Sequence, residues 1–218
     1  MKNKKFLILI FIVLINICCG NKSFDLSSVL VGEDAKKYDF ENKDLFLKDH
    51  NESKPDVMQY YADENKGLTY GNIPLDNTMG TRITVYNGKV GAIDTNASEK
   101  YSLEFVEKIV GKHGKPTATV TDKAIVDARL IKPIFEKLKK VAPDKVSWNQ
   151  GEKNSFTYPT SFFWDNGKSY SILSIAIEDD GRIRNKYVTV TKEAYKDNAV
   201  FGLKYPAPQG SPWYNYMK

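Results

Sequence analysis

Few residues in this sequence could carry out chemistry. It has two histidines, His50 and His113, and its only two cysteines, Cys18 and Cys19, are adjacent near the start of the chain. With no third histidine and no separate cysteine pair, a zinc site of three or four nitrogen and sulfur ligands cannot be assembled. Neither a Gly-x-Ser-x-Gly turn for a nucleophilic serine nor a glycine-rich phosphate-binding loop occurs. We therefore assign no catalytic, cofactor-binding or metal-binding residue and expect a protein that is not an enzyme.

The remaining candidates have structural interpretations. His113 stands at the end of a predicted helix, where the helix dipole favours an imidazolium, so we interpret it as a capping residue. Asp179 and Asp180 could form a carboxylate pair, but they directly precede Gly181 between two predicted strands, where such residues form turns. A hydrolase with a site assembled only in space, around His50 or several carboxylates, is the least favoured alternative.

The first residues have the pattern of a secretory signal. Lys2, Lys4 and Lys5 precede an apolar run, Phe6–Ile17, whose length is typical of a signal peptide. A membrane-spanning helix needs about 20 apolar residues, and this run is shorter. Both cysteines follow the run directly.

Residues 2–19 resemble the signal of bacterial lipoproteins, in which a cysteine after the apolar run receives a diacylglycerol and becomes the mature N-terminus. The resemblance implies removal of residues 1–18, lipidation of Cys19 and attachment to a membrane of the cell envelope through fatty acyl chains such as palmitate. Cys18 is the alternative site; Cys19 is favoured because a smaller residue precedes it. A thiol-anchored membrane helix and simple secretion remain open, and the rest of the chain resembles no specific family.

The charge of the processed chain gives no indication of a nucleic-acid partner. The 218 residues carry a formal charge of +5, and loss of the three signal lysines leaves 29 basic (32 − 3) and 27 acidic residues, a net charge of +2. Nucleic-acid-binding domains usually carry a dense basic face. No cysteine pair remains for a disulfide, so packing has to stabilise the fold.

Local patterns predict a hairpin and then a helix in the first half of the chain. Arg82–Tyr86 and Lys89–Ile93 are alternating runs joined by Asn87-Gly88, a dipeptide typical of a type I′ turn. The helix has Ser102 as its predicted N-cap and Gly114 as its stop. Its predicted buried face carries Leu103, Val106, Ile109 and Val110.

The second half predicts another helix and a β-meander. A short strand over residues 117–121 is followed by a helix that Asp122 caps and that runs to Val141, with a kink or break near Leu130 because Pro133 removes a helical hydrogen bond. Its predicted inward residues are Ile125, Ile131, Ile134, Phe135 and Leu138. Three strands follow, within residues 161–164, 170–178 and 183–191. The expected fold is α+β, a mainly antiparallel sheet with two helices packed on one side.

The predicted organisation is a signal over residues 1–18, a tether and N-terminal segment over 19–56, and a single domain over 57–218. The last residues, from Phe201, are rich in proline and aromatic residues, and we expect them to lie extended over the domain.

An excess of aromatic residues gives the only hint of a binding surface. Trp164, Tyr170 and Trp213 pack either in the core and tail or on a face that recognises a glycan or peptide. The favoured function is a non-enzymatic, lipid-anchored envelope protein that binds a protein partner or supports an assembly. The alternative is a small-ligand or glycan-binding module that uses the aromatic cluster.

Overall fold

The computed structural model describes residues 23–42, 45–50, 54–62, 67–76, 80–125, 128–149 and 155–217. The predicted α+β class is confirmed, since a large antiparallel sheet is packed with helices. The signal segment and both candidate lipidation sites, Cys18 and Cys19, lie outside the described residues. None of the described helices is long and apolar enough to cross a membrane.

The elements follow one another along the chain with short connections. The strands are β1 (Phe24–Asp25), β2 (Leu47–His50), β3 (Val57–Ala62), β4 (Leu68–Tyr70), β5 (Ile73–Pro74), β6 (Thr81–Tyr86), β7 (Lys89–Thr95), β8 (Ala118–Ile125), β9 (Ser147–Asn149), β10 (Ser155–Asp165), β11 (Ser169–Ile177) and β12 (Ile183–Thr191). The α-helices are α1 (Ser102–His113), α2 (Ala128–Val141) and α3 (Lys192–Lys196).

The large sheet has the strand order β2-β3-β6-β7-β12-β11-β10-β8, and β9 pairs with the first residues of β10. All of its pairings are antiparallel. The N-terminal strands meet the C-terminal strands where Ala92–Thr95 of β7 pairs with Tyr187–Val190 of β12. A small second sheet consists of β1, β4 and β5.

The predicted hairpin is confirmed as β6 and β7. Asn87 and Gly88 both have positive φ, 51° and 74°, as a type I′ turn requires. The meander is also confirmed as β10, β11 and β12. Asp180 lies in the predicted turn, where its carboxylate accepts hydrogen bonds from the backbone N–H and the Nε of Arg182.

Helix α1 begins one residue earlier than a Ser102 N-cap would require. Tyr101 is the N-cap residue and makes no side-chain capping bond. Ser102 is buried, and its hydroxyl donates to the carbonyl of Ile183 at 2.7 Å instead. The predicted stop is correct, since Gly114 has a φ of 68° and its N–H donates to the carbonyl of Val110.

The predicted start of the second helix is wrong. Asp122 lies in β8 opposite Tyr158 of β10, and α2 begins only at Ala128. Pairing with a strand more than 30 residues later overrides the local capping signal, and Ile125 is 64% exposed rather than buried. The helix continues through Pro133 to Val141 without a break.

Two hydrophobic cores lie on opposite faces of the large sheet. Along β11, Leu173 and Ile175 point into the first core, whereas Tyr170 and Ile172 point into the second. Helices α1 and α2 cover the first core, and α3 with the C-terminal residues covers the second. The helices therefore occupy both faces, with the two longer ones on the predicted single side.

Both ends of the described chain belong to these cores. Packing extends back beyond the predicted domain start at residue 57, because Phe24, Leu26, Val29 and Phe40 are buried in the first core. The C-terminal residues lie over the body as expected, but in consecutive turns rather than extended. Backbone hydrogen bonds within residues 208–217 hold these turns.

Candidate functional site

The aromatic residues predicted as a possible binding surface are buried. Trp164, Tyr170 and Trp213 are 5%, 4% and 7% exposed. Trp164 faces the first core and its indole N–H donates to the carbonyl of Gly114 at 2.9 Å. Tyr170 and Trp213 face the second core. The three side chains share no surface, and core packing accounts for all of them.

His113 is a neutral member of an internal polar network rather than a charged cap. Its Nε2 lies 2.8 Å from the hydroxyl of Tyr187, and its ring lies 5.0 Å from that of Trp164. Desolvation, with a smaller contribution from Lys112, lowers the pKa of His113 to about 4. An imidazolium at the helix end, as the sequence suggested, is therefore disfavoured near neutral pH.

The network continues from His113 across α1, β4 and β12. The ammonium of Lys112 donates to the hydroxyl of Tyr70 at 2.8 Å, and desolvation lowers the pKa of this lysine. Burial also raises the pKa of Tyr187. Among the described residues, the side-chain hydrogen bond of His113 is to Tyr187, and neither a serine nor a carboxylate bonds to it.

The other histidine offers no site either. His50 is exposed in β2 at one edge of the sheet. In the part of the chain that the structure describes, no group of three His, Cys, Asp or Glu side chains could hold a metal ion.

A groove of about 630 Å³ lies between the C-terminal ends of α1 and α2, within the range of roughly 300–1,000 Å³ typical of ligand sites. Its walls are the end of α1, the loop into β8, and the residues after α2, and Phe162 lies in it. The lining residues are Val110, Gly111, Gly114, Lys115, Pro116, Thr117, Ala118, Thr119, Val141, Ala142, Pro143, Asp144, Lys145 and Phe162. Most of the wall is apolar or small, and the charged residues are confined to a few positions.

The groove exists because both helices stop and small residues line their ends. A Cβ placed on Gly111 would meet no atom within 4 Å, so this helical position faces open space. Gly114 ends α1. On the opposite wall, the Lys139 ammonium donates to the carbonyls of Pro143 and Val146 at 2.6 and 3.0 Å. These two bonds fix the chain that leaves α2.

The surroundings of the groove are basic. Its own charged residues are Lys115, Lys145 and Asp144, a net charge of +1. The adjacent helix α2 carries five basic residues and one acidic residue between positions 128 and 141, a net charge of +4. The sequence analysis did not predict this site, because the nearly balanced charge of the whole chain conceals a local excess of basic residues. The spacing of the lysines in α2 was the signal that could have indicated it.

Comparison with protein families, with curated proteins and with solved structures found no match for this chain. The site itself is therefore the basis for a function. An apolar groove with a basic rim is suited to binding an apolar group that carries negative charge nearby.

Proposed function

We propose that this protein is a lipid-anchored component of a bacterial cell envelope that binds a protein partner and is not an enzyme. The groove between α1 and α2 receives an apolar segment of that partner, flanked by acidic residues. The apolar wall beside a helix of net charge +4 carries this proposal. Apolar burial supplies the affinity, and charge complementarity favours encounter with the correct segment.

The short distance between the anchor and the packed domain supports a partner at the membrane. Cys19 precedes Ser23, the first described residue, by four positions. Four residues span at most about 14 Å when extended. An anchor at Cys19 therefore holds the domain close to the membrane, whereas the sequence predicted a tether within residues 19–56.

The anchor is tested by substitution of the cysteines in the full chain. We expect Cys19→Ser to move the protein from the membrane fraction to the soluble fraction, whereas Cys18→Ser leaves it in the membrane. Mass spectrometry of the mature N-terminus identifies the acylated residue. Retention of the doubly substituted protein in the membrane would refute the lipid anchor.

The groove is tested by filling it. A photoreactive amino acid at Lys145, on the groove rim, is activated in the full chain in its native membrane. We expect one dominant crosslinked partner, which Gly111→Leu abolishes because the new side chain occupies the groove. The control is Glu104→Leu, which adds the same side chain at an exposed position two turns earlier on α1.

The crosslinked segment itself gives the second half of the test. Mass spectrometry locates it in the partner, and a synthetic peptide of that segment is titrated into the purified protein. An apolar peptide with acidic flanks that binds and loses affinity in Gly111→Leu supports the proposal. Crosslinking that Gly111→Leu leaves unchanged refutes it, as does a crosslinked peptide that does not bind.

A further inference from the structure

A second cleft, away from the groove, is built around Arg82. Arg82 lies in β6 between Tyr61 of β3 and Asp94 of β7. Since Ile83 points into the first core and side chains alternate along a strand, Arg82 points to the other face of the sheet. The cleft has a volume of about 380 Å³ and is also lined by Asn96 and Phe201.

Arg82 is a half-buried cation, and one of its guanidinium nitrogens has no hydrogen-bond partner in the structure. Its Nε is buried and has no hydrogen-bond partner. None of the ion pairs among the described residues involves Arg82, and the carboxylate of Asp94, its neighbour on β7, is paired with the Lys186 ammonium at 3.0 Å. A buried donor without a partner destabilises the folded protein, and more so when it belongs to a charged group. Most buried polar groups in native proteins have a hydrogen-bond partner, so this donor is available to a ligand that enters the cleft.

An exposed aromatic ring covers this cation. The Cζ of Arg82 lies 4.6 Å from the centroid of the Phe201 ring, and the Phe201 side chain is 70% exposed. Phe201 is in a turn next to Gly202, which has a φ of 79°. Because the ring is mostly exposed, moving it aside loses little buried apolar area. A ligand can therefore move the ring and then pack against its face.

We propose that this cleft binds a small monocarboxylate with an apolar or aromatic body. Among the described residues that line the cleft, the charged ones are Arg82, Lys186 and Asp94, so their net charge is +1. A single carboxylate balances that charge, and its two oxygens match two parallel N–H groups of a guanidinium. Phe201 and Tyr61 then contact the body of the ligand, and the Asn96 carboxamide offers a further hydrogen bond.

The carboxylate could belong to a free organic acid or to the C-terminus of a peptide, since both present the same group. The purified protein is titrated with phenylacetate, with N-acetyl-phenylalanine and with the neutral isostere phenylacetamide, and backbone amide NMR shifts are recorded. We expect phenylacetate to shift the amides of Gly80, Thr81 and Gly202 with a Kd of about 1 mM, as for a ligand of about ten non-hydrogen atoms. Tighter binding of N-acetyl-phenylalanine identifies a peptide C-terminus, and tighter binding of phenylacetate a free acid.

Arg82→Met is the decisive variant, because it removes the unpaired donor and keeps an apolar stem. We expect it to remain folded, with a melting temperature no lower than that of the parent, and to weaken carboxylate binding at least about tenfold. The control is Arg182→Met, which removes an exposed arginine outside the cleft. Loss of binding in Arg82→Met alone supports the proposal. Equal shifts with phenylacetamide, unchanged affinity in Arg82→Met or no shifts at 50-fold the expected Kd (about 50 mM) would overturn it.

Discussion

The buried carboxamide of Asn185 gives the sharpest test of how the fold is held together. Asn185 is 6% exposed in β12. Its Oδ1 accepts from the N–H of Ala97 at 2.8 Å, and its Nδ2 donates to the carbonyl of Ala97 at 3.0 Å and to the Ser102 hydroxyl at 2.7 Å. Since Ser102 donates in turn to Ile183, one side chain ties the end of β7 and the start of α1 to β12.

Asn185→Leu keeps the number and branching of the side-chain heavy atoms, although its methyl groups are larger, and it cannot make these bonds. Each bond contributes a net of about 1 kcal/mol, and both polar groups of Ala97 are left without a partner, so the free energy of unfolding should fall by about 3 kcal/mol. With a urea m-value of about 2 kcal/mol/M, the midpoint falls by about 1.5 M. Urea unfolding of the protein beginning at Ser23, followed by tryptophan fluorescence and circular dichroism, measures this shift.

Matched variants separate the network from a general effect of leucine. Arg184→Leu, at the exposed neighbouring position of the same strand, should change stability by no more than about 0.5 kcal/mol. Ser102→Ala should cost about 1–2 kcal/mol, and in the double mutant with Asn185→Leu the costs should not add, because the two residues share a bond. A loss below about 1 kcal/mol in Asn185→Leu, or full additivity, would refute the assigned role of this network.

Three further predictions concern other parts of the molecule. His113 has a native pKa of about 4 against an unfolded value of 6.5, so the unfolded state binds the extra proton and stability falls as the pH drops from 6.5 to 4. The expected loss is about 2 kcal/mol after allowance for partial solvent exposure. Unfolding measured at several pH values should show a smaller decrease of the free energy of unfolding in His113→Gln than in the parent protein. An equal decrease in both proteins would contradict the prediction. Trp213→Ala should cost about 3–5 kcal/mol in urea unfolding because its ring stacks on Phe163 in the second core, and a loss under 1 kcal/mol would mean that the C-terminal turns are not integral. Gly111→Ala should raise the melting temperature by about 2–4 °C in calorimetry, since alanine favours the helix and meets no neighbouring atom; a decrease would show that the position is strained.

Features encoded in a few adjacent residues were predictable from the sequence. The β6–β7 turn follows from Asn87-Gly88, and the end of α1 follows from Gly114, because each depends on local backbone preferences. Asp122 failed as a helix cap because the pairing of β8 with β10 depends on residues far along the chain. Local capping contributes only about 1 kcal/mol, which a strand pairing over eight positions outweighs.

The candidate sites were less predictable because each joins distant segments. The groove needs the ends of two helices side by side, and neither Gly111 nor Lys145 has a distinctive local pattern. The aromatic residues were recognised as an excess, but alternation along β10 sends Phe163 and Trp164 to opposite cores. In the Arg82 cleft, the neighbouring carboxylate of Asp94 pairs with Lys186 of a distant strand. No local sequence pattern indicates that pairing.

The pairing of β7 with β12 sets the order in which the chain can fold from its N-terminal side. Strands β3, β6 and β7 are close in sequence and can associate early, since short loops close at little entropic expense. The edge of β7 stays unpaired until β12 is present, and the paired residues of β12 lie almost a hundred positions later in the chain. Until then the chain presents an unpaired strand edge. Chaperones shield such edges, which otherwise pair with the wrong strands. Residues 192–217, which follow β12, then close the second core over the completed sheet.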